Sequence, residues 1–289
     1  KSILYLEEIT SAVEQISQGD LDHRIPIRTS DELGGLANHI NEMSEKIKAS
    51  MEEERKATEA KTELITNVSH DLRTPLTSIN GYLRMIDQDR YKDELELRHY
   101  VHIAFKKSER LNRLVNDLFE YTRMNYGRSP LVRTKINLVE LVQQIAAEYH
   151  LPLQEIGLHV HLQLSVEKLM IHADGDKLMR VFENLLTNAM KYGKDGSRID
   201  IVLQQDEHSN SALVQIINYG SPIPAADLPH VFDRFYRADK SRSDQEGGGS
   251  GLGLAIAKSI IDLHGGKIAA ESSEERTVFT IQLPLSTIL

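Results

Sequence analysis

Two stretches with seven-residue apolar spacing constrain the fold of this chain most strongly. Within them an apolar residue recurs at every seventh position, at Ile65, Leu72, Ile79 and Ile86 and again at Leu97, Ala104, Leu111 and Leu118. This spacing is typical of helices that pack along one seam. Two such helices form a hairpin, and two hairpins form a four-helix bundle. The spacing therefore predicts a helical hairpin that pairs with a second copy of the chain.

The segment "VSHDLRTPLTS" places unusual residues inside the first of these helices. His70 falls at the heptad position farthest from the seam, so its ring is expected to face solvent. Pro75 follows one turn later, although proline destabilises a helix interior by about 3 kcal/mol. Asp71 supplies a carboxylate that could orient the second ring nitrogen of His70. These features favour a nucleophilic histidine. The alternative is an ordinary surface histidine.

The pattern of apolar and polar residues differs on the two sides of the hairpin. Residues 1–50 contain two short helical patterns separated by the turn-rich "QGDLDHRIPIRTSDE", and they predict a helix, connector, helix unit that self-associates. Residues 51–130 hold the hairpin. Residues 131–289 alternate strand-like runs ("RIDIVLQ", "ALVQIIN" and "TVFTIQL") with helical patterns near 137–150, 175–192 and 252–264. The predicted fold class is therefore multidomain, with all-α segments followed by an α/β sandwich.

Composition excludes several classes of function. The 289 residues include no cysteine, which rules out disulfides and thiolate metal sites, and the formal net charge of -9 argues against direct binding of nucleic acid. No run of 18 apolar residues occurs, so no membrane span is predicted. Because the chain begins with Lys1 in a helix-like sequence, we expect that an upstream segment has been removed.

A polar line along one predicted helix points to a ligand. In "DKLMRVFENLLTNAMKY", Arg180, Asn184, Asn188 and Lys191 share one face, opposite an apolar one. Asparagine is a poor helix former, and amide oxygens are hard ligands suited to Mg²⁺ together with substrate phosphates. The alternative is an ordinary solvated helix face.

The glycine-rich "GGGSGLGLAIAKSI" leads directly into an amphipathic helix. Such a sequence presents several backbone N–H groups at a helix N-terminus, which is a site for an anion. A flexible linker is the alternative, but a linker would not run straight into a helix. The Walker, dinucleotide-binding and protein-kinase signatures are absent from the sequence. The two motifs together therefore predict an ATP-like ligand with Mg²⁺.

Five motifs in order give the chain a family resemblance over nearly its whole length. The segments "SHDLRTPL", "NLLTNAMKY", "NYGSPIP", "VFDRFYR" and "GGSGLGL" resemble the H, N, G1, F and G2 boxes of bacterial sensor histidine kinases. Residues 1–50 resemble a HAMP signal-relay domain through "GDLDHRIP" and "DELGGLANHINEM", residues 51–130 a dimerisation and phosphotransfer hairpin, and residues 131–289 a Bergerat-type ATP-binding domain. The resemblance implies a homodimer, ATP and Mg²⁺ as cofactors, and a location in the cytoplasmic part of an inner-membrane protein.

The resemblance also implies a role for each matching residue. His70 would take the γ-phosphoryl group of ATP and pass it to an aspartate on a response-regulator receiver domain, Asp71 would polarise the imidazole, and Thr74 would orient water for the reverse, phosphatase reaction. Asn188 would hold Mg²⁺, and the segment from Arg237 to Gly251 would be a lid. The full implied ATP-binding set is Asn184, Asn188, Lys191, Tyr192, Asn218, Gly220, Arg237, Gly249, Ser250, Gly251, Leu252 and Gly253.

Two positions depart from the family pattern. Asn218 stands where most members have the aspartate that reads the adenine amine, and Tyr5 lies near the place of a usual HAMP proline. The first departure resembles the envelope-stress and vancomycin-resistance subgroup. It also suggests one alternative function, an inactive nucleotide-binding signalling adaptor. A second alternative, a plain ATPase or chaperone, follows from the same ATP-binding fold. The intact His70 and Asn188 argue against the adaptor, and a plain ATPase leaves the His70 helix unexplained.

Overall fold

The computed structural model describes residues 2–125, 130–193, 196–237 and 250–286. It divides into two compact units, Lys1–His70 and Asp71–Leu289. The helices are α1 (Ser2–Ser17), α2 (Glu32–Asp87), α3 (Glu94–Asn125), α4 (Leu138–Glu155), α5 (Gly175–Tyr192) and α6 (Gly253–Leu263). The strands are β1 (Thr134–Asn137), β2 (His159–Leu164), β3 (Met170–Ala173), β4 (Arg198–Asp206), β5 (Ser211–Asn218), β6 (Lys267–Ser272) and β7 (Thr277–Pro284). None of the helices in these ranges is long and apolar enough to cross a bilayer.

In the first unit, a connector is held between α1 and the start of α2. The small apolar core consists of Tyr5, Ile9, Ala12, Ile25 and Ala37. The Tyr5 hydroxyl donates to the Pro26 carbonyl at 2.9 Å. The Asn41 side chain accepts from Ile25 N at 2.8 Å and donates to Ile25 O at 2.9 Å. These bonds satisfy connector backbone groups that would otherwise lack partners, so the predicted helix, connector, helix unit is present.

In the second unit, the C-terminal part of α2 and the whole of α3 form the predicted hairpin. The α2 helix runs through Pro75, and the rings of Tyr82 and Tyr100 lie 5.4 Å apart between the two helices. Ala104 and Leu114 on α3 are each 6% exposed, so part of the predicted seam is buried.

The remainder of the second unit is an α/β sandwich, as predicted. Its sheet has the strand order β2-β4-β5-β7-β6, in which only β2 and β4 pair in parallel. The strands β1 and β3 form a separate antiparallel pair. Helices α4, α5 and α6 pack against the sheet and one another. Val214 and Ile216 on β5 and Ile281 on β7 are fully buried, and they mark the core between the sheet and the helices.

The sequence pattern predicted the three longest strands and missed four others. β4, β5 and β7 coincide with the three predicted runs, whereas β1, β2, β3 and β6 were not predicted. Helix α4 also continues through Pro152 to Glu155, beyond the predicted end near residue 150. β1 and β3 have only four residues each, and β2 and β6 alternate between exposed and half-buried residues, which gives a weak apolar signal.

Candidate functional site

Helix α5 carries the predicted polar line and fixes it by burying its opposite face. The Asp174 side chain caps the helix by accepting from Lys177 N at 3.2 Å. Leu178 and Leu185 are fully buried, so α5 cannot rotate without exposing them. Asn184 and Asn188 consequently stay on the other face, where both are half-buried.

Glycines bring the end of β5 and the start of α6 into close approach with α5. A Cβ atom added to Gly220 would lie 1.9 Å from the Tyr192 carbonyl oxygen, and one added to Gly193 would lie 3.1 Å from Asn218 Cβ. A Cβ atom on Gly253 would lie 3.2 Å from Asn184 Oδ1. The end of β5 therefore meets the end of α5, and the start of α6 meets the middle of α5, which brings segments of the N, G1 and G2 boxes together.

Two amide groups at this junction are buried without a partner. Asn184 Nδ2 and Asn218 Nδ2 have no hydrogen-bond acceptor among the residues that the structure describes. Asn218 is only 2% exposed. Buried polar groups in proteins are nearly always hydrogen-bonded, and an exception calls for an explanation such as a ligand or water. Both donors lie on residues that the sequence assigned to nucleotide binding.

The N-terminus of α6 has the geometry of an anion site. Gly251 has a φ of +70°, which glycine adopts without strain, and its carbonyl accepts from Phe235 N at 2.9 Å. The Ser250 hydroxyl accepts from Leu252 N at 3.2 Å. The first turn of a helix leaves backbone N–H groups without intrahelical partners, and these groups attract phosphate. Ser250, Gly251, Leu252 and Gly253 thus lie at this helix N-terminus, and their binding of phosphate stays a prediction.

A charged cluster, which no sequence pattern predicted, joins α3 to the same region. Glu120 on α3 pairs with Lys177 Nζ at 2.8 Å and with Arg180 Nε at 3.2 Å. Asp117 accepts from Arg180 Nη2 and, at 2.9 Å, from the Ser250 hydroxyl. Burial lowers the pKa of Arg180, but neighbouring carboxylates, Asp117 foremost, outweigh it and raise this pKa overall. The spacing of Asp117 and Glu120 on one helix face was visible in the sequence, but their partners were not.

The predicted phosphoacceptor turn lies on α2. His70 and Thr74 are exposed and Asp71 is half-buried, so His70 faces solvent as the heptad position predicted. Arg237 Nη2 donates to Asp71 Oδ2 at 2.8 Å. An exposed imidazole next to a carboxylate is suited to nucleophilic chemistry.

The remaining predicted residues are only partly described. Lys191 Nζ lies 4.8 Å from the centre of the Tyr192 ring, and Tyr192 is 49% exposed. Gly249 and the rest of the predicted lid, residues 238–248, lie outside the described residues. Across the described ranges, no group of three or more histidine, cysteine, aspartate and glutamate residues could hold a metal ion. The predicted Mg²⁺ ligand is of another kind, the Asn188 amide together with phosphate oxygens.

A buried histidine, which no sequence pattern predicted, holds α5 and α6 together at the ends of these helices that lie away from the glycine junction. His264 Nε2 accepts from Asp174 N at 3.0 Å, and His264 Nδ1 donates to Ile260 O at 2.8 Å. Because the ring accepts at one nitrogen and donates at the other, it is neutral, and burial lowers its pKa. This histidine ties the end of α6 to the start of α5. No local pattern around His264 signalled this contact.

Family models match most of the chain. A HAMP domain model matches residues 3–49, a His Kinase A (phospho-acceptor) domain model matches residues 60–127, and a model of histidine kinase-, DNA gyrase B- and HSP90-like ATPases matches residues 173–287.

Known proteins resemble the chain over these same regions. The chain is 36% identical to the sensor protein VanS of Enterococcus faecium over 282 residues, which cover 97% of this chain and 71% of VanS. It is 34% identical to the sensor protein VanSC of Enterococcus gallinarum, over 98% of this chain and 76% of that relative. Among solved structures, histidine kinase ThkA in complex with the response regulator protein TrrA matches with a TM-score of 0.65 and 27% identity, over 82% of this chain and 66% of that chain. The chain therefore belongs to the two-component sensor histidine kinases, and its C-terminal part is their ATP-binding domain.

Proposed function

We propose that the chain transfers the γ-phosphoryl group of ATP to His70 and then to an aspartate of a response-regulator receiver domain. The observation that carries this proposal is the junction of α5, β5 and α6, where two buried amide donors have no partner within the described part of the chain and the N-terminus of α6 lies beside them. A nucleoside triphosphate has acceptors for such donors and charge for the helix terminus.

In the proposed nucleotide complex, each residue of the junction has a distinct role. Ser250 and the N–H groups at the start of α6 hold the phosphates, and Lys191 adds positive charge beside them. Asn184 and Asn188 face the phosphates from α5, with Asn188 as a ligand of Mg²⁺, which supplies neutralisation of phosphate charge when bound. Asn218 contacts the purine base, and the exposed Tyr192 ring packs beside the nucleotide. Gly220 and Gly253 permit the close approach of backbone segments that forms the site.

The proposed transfer needs a neutral and oriented imidazole. One ring nitrogen of His70 attacks the γ-phosphorus while the bond from that phosphorus to the bridging β,γ-oxygen breaks, and ADP leaves with the bond's electrons. Asp71 accepts a hydrogen bond from the other ring nitrogen and stabilises the positive charge that develops on the ring. Thr74 lies one helical turn from His70, where its hydroxyl would orient water for dephosphorylation of the regulator.

We propose further that the hairpin functions as a homodimer. Leu76 and Leu83 on α2 and Val101 and Phe105 on α3 are 48%, 49%, 50% and 58% exposed. Apolar side chains left exposed at heptad spacing are typical of helices that pack in a four-helix bundle. The HAMP match at residues 3–49 supports a role on the cytoplasmic side of a membrane-anchored sensor.

Labelling with γ-³²P-ATP tests the proposed reaction. Incubation with Mg²⁺ should produce protein-bound label that is acid-labile and alkali-stable, because phosphohistidine has this behaviour. His70→Gln should abolish the label, whereas the matched variant His99→Gln, which changes another exposed histidine of the hairpin, should keep it. Release of free phosphate without bound label would support a plain ATPase instead. Nucleotide binding with neither product would support an inactive adaptor.

A further inference from the structure

Asn218 is the last residue of β5, and its backbone is fixed from both sides. It pairs with Ile199 of β4 and with Thr277 of β7. Side chains alternate between the faces of a strand, so Asn218 lies on the same face as Val214 and Ile216, which are fully buried. The side chain therefore points to the helix-covered side of the sheet, where the end of α5 lies.

The surroundings of this side chain show why its amide nitrogen has no acceptor among the residues that the structure describes. Gly193, the first residue after α5, approaches so closely that a Cβ atom on it would lie 3.1 Å from Asn218 Cβ. Gly220 packs against the Tyr192 carbonyl in the same way. Gly193 contributes no side chain that could accept a hydrogen bond, and no backbone carbonyl of the described residues accepts one from Asn218 Nδ2. Asn218 Nδ2 therefore stays buried and without a partner among the described residues, which leaves an acceptor from a ligand or water to satisfy it.

An amide at this position differs chemically from a carboxylate. An ionised carboxylate only accepts hydrogen bonds, whereas an amide both donates and accepts and can exchange the two groups by rotating about its last bond. At position 6 adenine has a donating amine, and guanine and hypoxanthine have an accepting carbonyl oxygen. A carboxylate can bind the first and is repelled by the second. An amide can bind either.

We propose that Asn218 makes this site accept 6-oxopurine nucleoside triphosphates, such as ITP and GTP, as well as ATP. The inference rests on the proposed function, because it takes the junction of α5, β5 and α6 as the nucleotide site. The orphan Asn218 Nδ2 is the donor that a 6-oxo group requires, and rotation of the amide presents Oδ1 to the amine of adenine.

Calorimetric titration of ATP and ITP with Mg²⁺ at pH 8 tests this specificity. ITP is the sharper probe because it has the 6-oxo group of GTP without the 2-amino group. In the parent chain, the dissociation constants of ITP and ATP should agree within about tenfold. In Asn218→Asp, the affinity for ITP should fall at least about tenfold relative to the affinity for ATP, because the carbonyl oxygen of ITP then faces an ionised acceptor.

Two further variants separate base selection from general damage to the site. Asn184→Asp introduces the same chemical change on α5, away from β5, so it should alter the affinities for ATP and ITP by the same factor. Asn218→Ala removes the group that discriminates between the bases, so it should leave the ratio of the ITP and ATP affinities near that of the parent. This variant keeps the test usable if Asn218→Asp folds poorly. The inference would be overturned if the ratio of the ITP and ATP dissociation constants were the same in the parent and in Asn218→Asp. It would also be overturned if the parent bound ITP far more than about tenfold more weakly than ATP. Failure of the parent to bind ATP would instead overturn the proposed function.

Discussion

Substitution of Gly220 by alanine should disrupt the nucleotide site through backbone displacement alone. The added Cβ atom would lie 1.9 Å from Tyr192 O, 2.9 Å from Tyr192 C and 3.0 Å from Gly193 Cα. All three are backbone atoms, so no side-chain rotation relieves the clash. Ordinary contact begins at 3.4 Å, so the segment after β5 or the end of α5 must move by about 1.5 Å. Strain of this kind destabilises a protein by about 1 to 3 kcal/mol.

This strain should lower both the melting temperature and the affinity for ATP. A domain of this size loses roughly 2 to 4 °C in Tm for each kcal/mol, so Gly220→Ala should melt about 2 to 12 °C below the parent. ATP affinity should fall at least about tenfold, because Asn218 and Lys191 lie on the two segments that are forced apart. Differential scanning calorimetry and titration with ATP measure the two effects.

Two other glycines provide matched controls for this prediction. A Cβ atom on Gly253 would meet only the end of the Asn184 side chain, which can rotate away, so Gly253→Ala should cause a smaller loss. A Cβ atom on Gly175, at the start of α5, would meet nothing within 4 Å. Gly175→Ala should therefore match or exceed the parent's stability, since alanine favours helix by up to about 1 kcal/mol. Parental Tm and ATP affinity in Gly220→Ala would refute the proposed close packing of the two segments.

Three further predictions concern contacts outside the glycine junction. Thr74→Ala should slow dephosphorylation of the regulator at least about tenfold more than autophosphorylation, since a water-orienting hydroxyl acts in only one reaction; equal losses would show a structural role. A double-mutant cycle of Arg180→Met and Asp117→Asn should give a coupling above about 0.5 kcal/mol in unfolding free energy, and additive effects would contradict the described ion pair. Burial lowers the pKa of His264 in the folded chain below its ordinary value of 6.5. As the pH drops below 6.5, the unfolded chain therefore binds a proton at this ring more readily than the folded chain does. Stability should therefore fall as pH drops below 6.5, by at most about 1.4 kcal/mol per pH unit from this group. His264→Gln should remove this contribution to the slope of stability against pH. An unchanged slope would contradict the conclusion that His264 is neutral in the folded chain.

The sequence was most informative where local spacing alone determines structure. The seven-residue repeat predicted the hairpin of α2 and α3, and the exposed position of His70 followed from the same repeat. Helix α5 was predicted with its observed limits, 175–192, because its apolar and polar faces are sharply separated. The glycines before α6 predicted the start of this helix for a similar reason, since backbone geometry there depends on residues close in sequence. Binding of an anion at this helix terminus stays a prediction.

The contacts that were missed depend on residues far apart in the chain. Asp117 and Arg180 are separated by 63 positions, and Asp174 and His264 by 90. Many charged residues on a helix face are compatible with solvent, so sequence alone gives no reason to pair these. The buried donor of Asn218 was also invisible, because it results from close packing against a glycine of another segment. The predicted domain limits at 50/51 and 130/131 and the role of each site residue remain predictions.

Identification of the phosphorylated residue tests the central claim most directly. The chain contains 12 histidines, and the proposed mechanism requires that only His70 accept phosphate from ATP. The chain should be incubated with Mg²⁺ and ATP, digested at alkaline pH to preserve phosphohistidine, and mapped by mass spectrometry. We predict a single phosphorylated histidine, in the peptide that contains "SHDLR". Phosphate on another histidine, with the His70 peptide unmodified while ATP is consumed, would contradict the assignment of His70 as the phosphoacceptor.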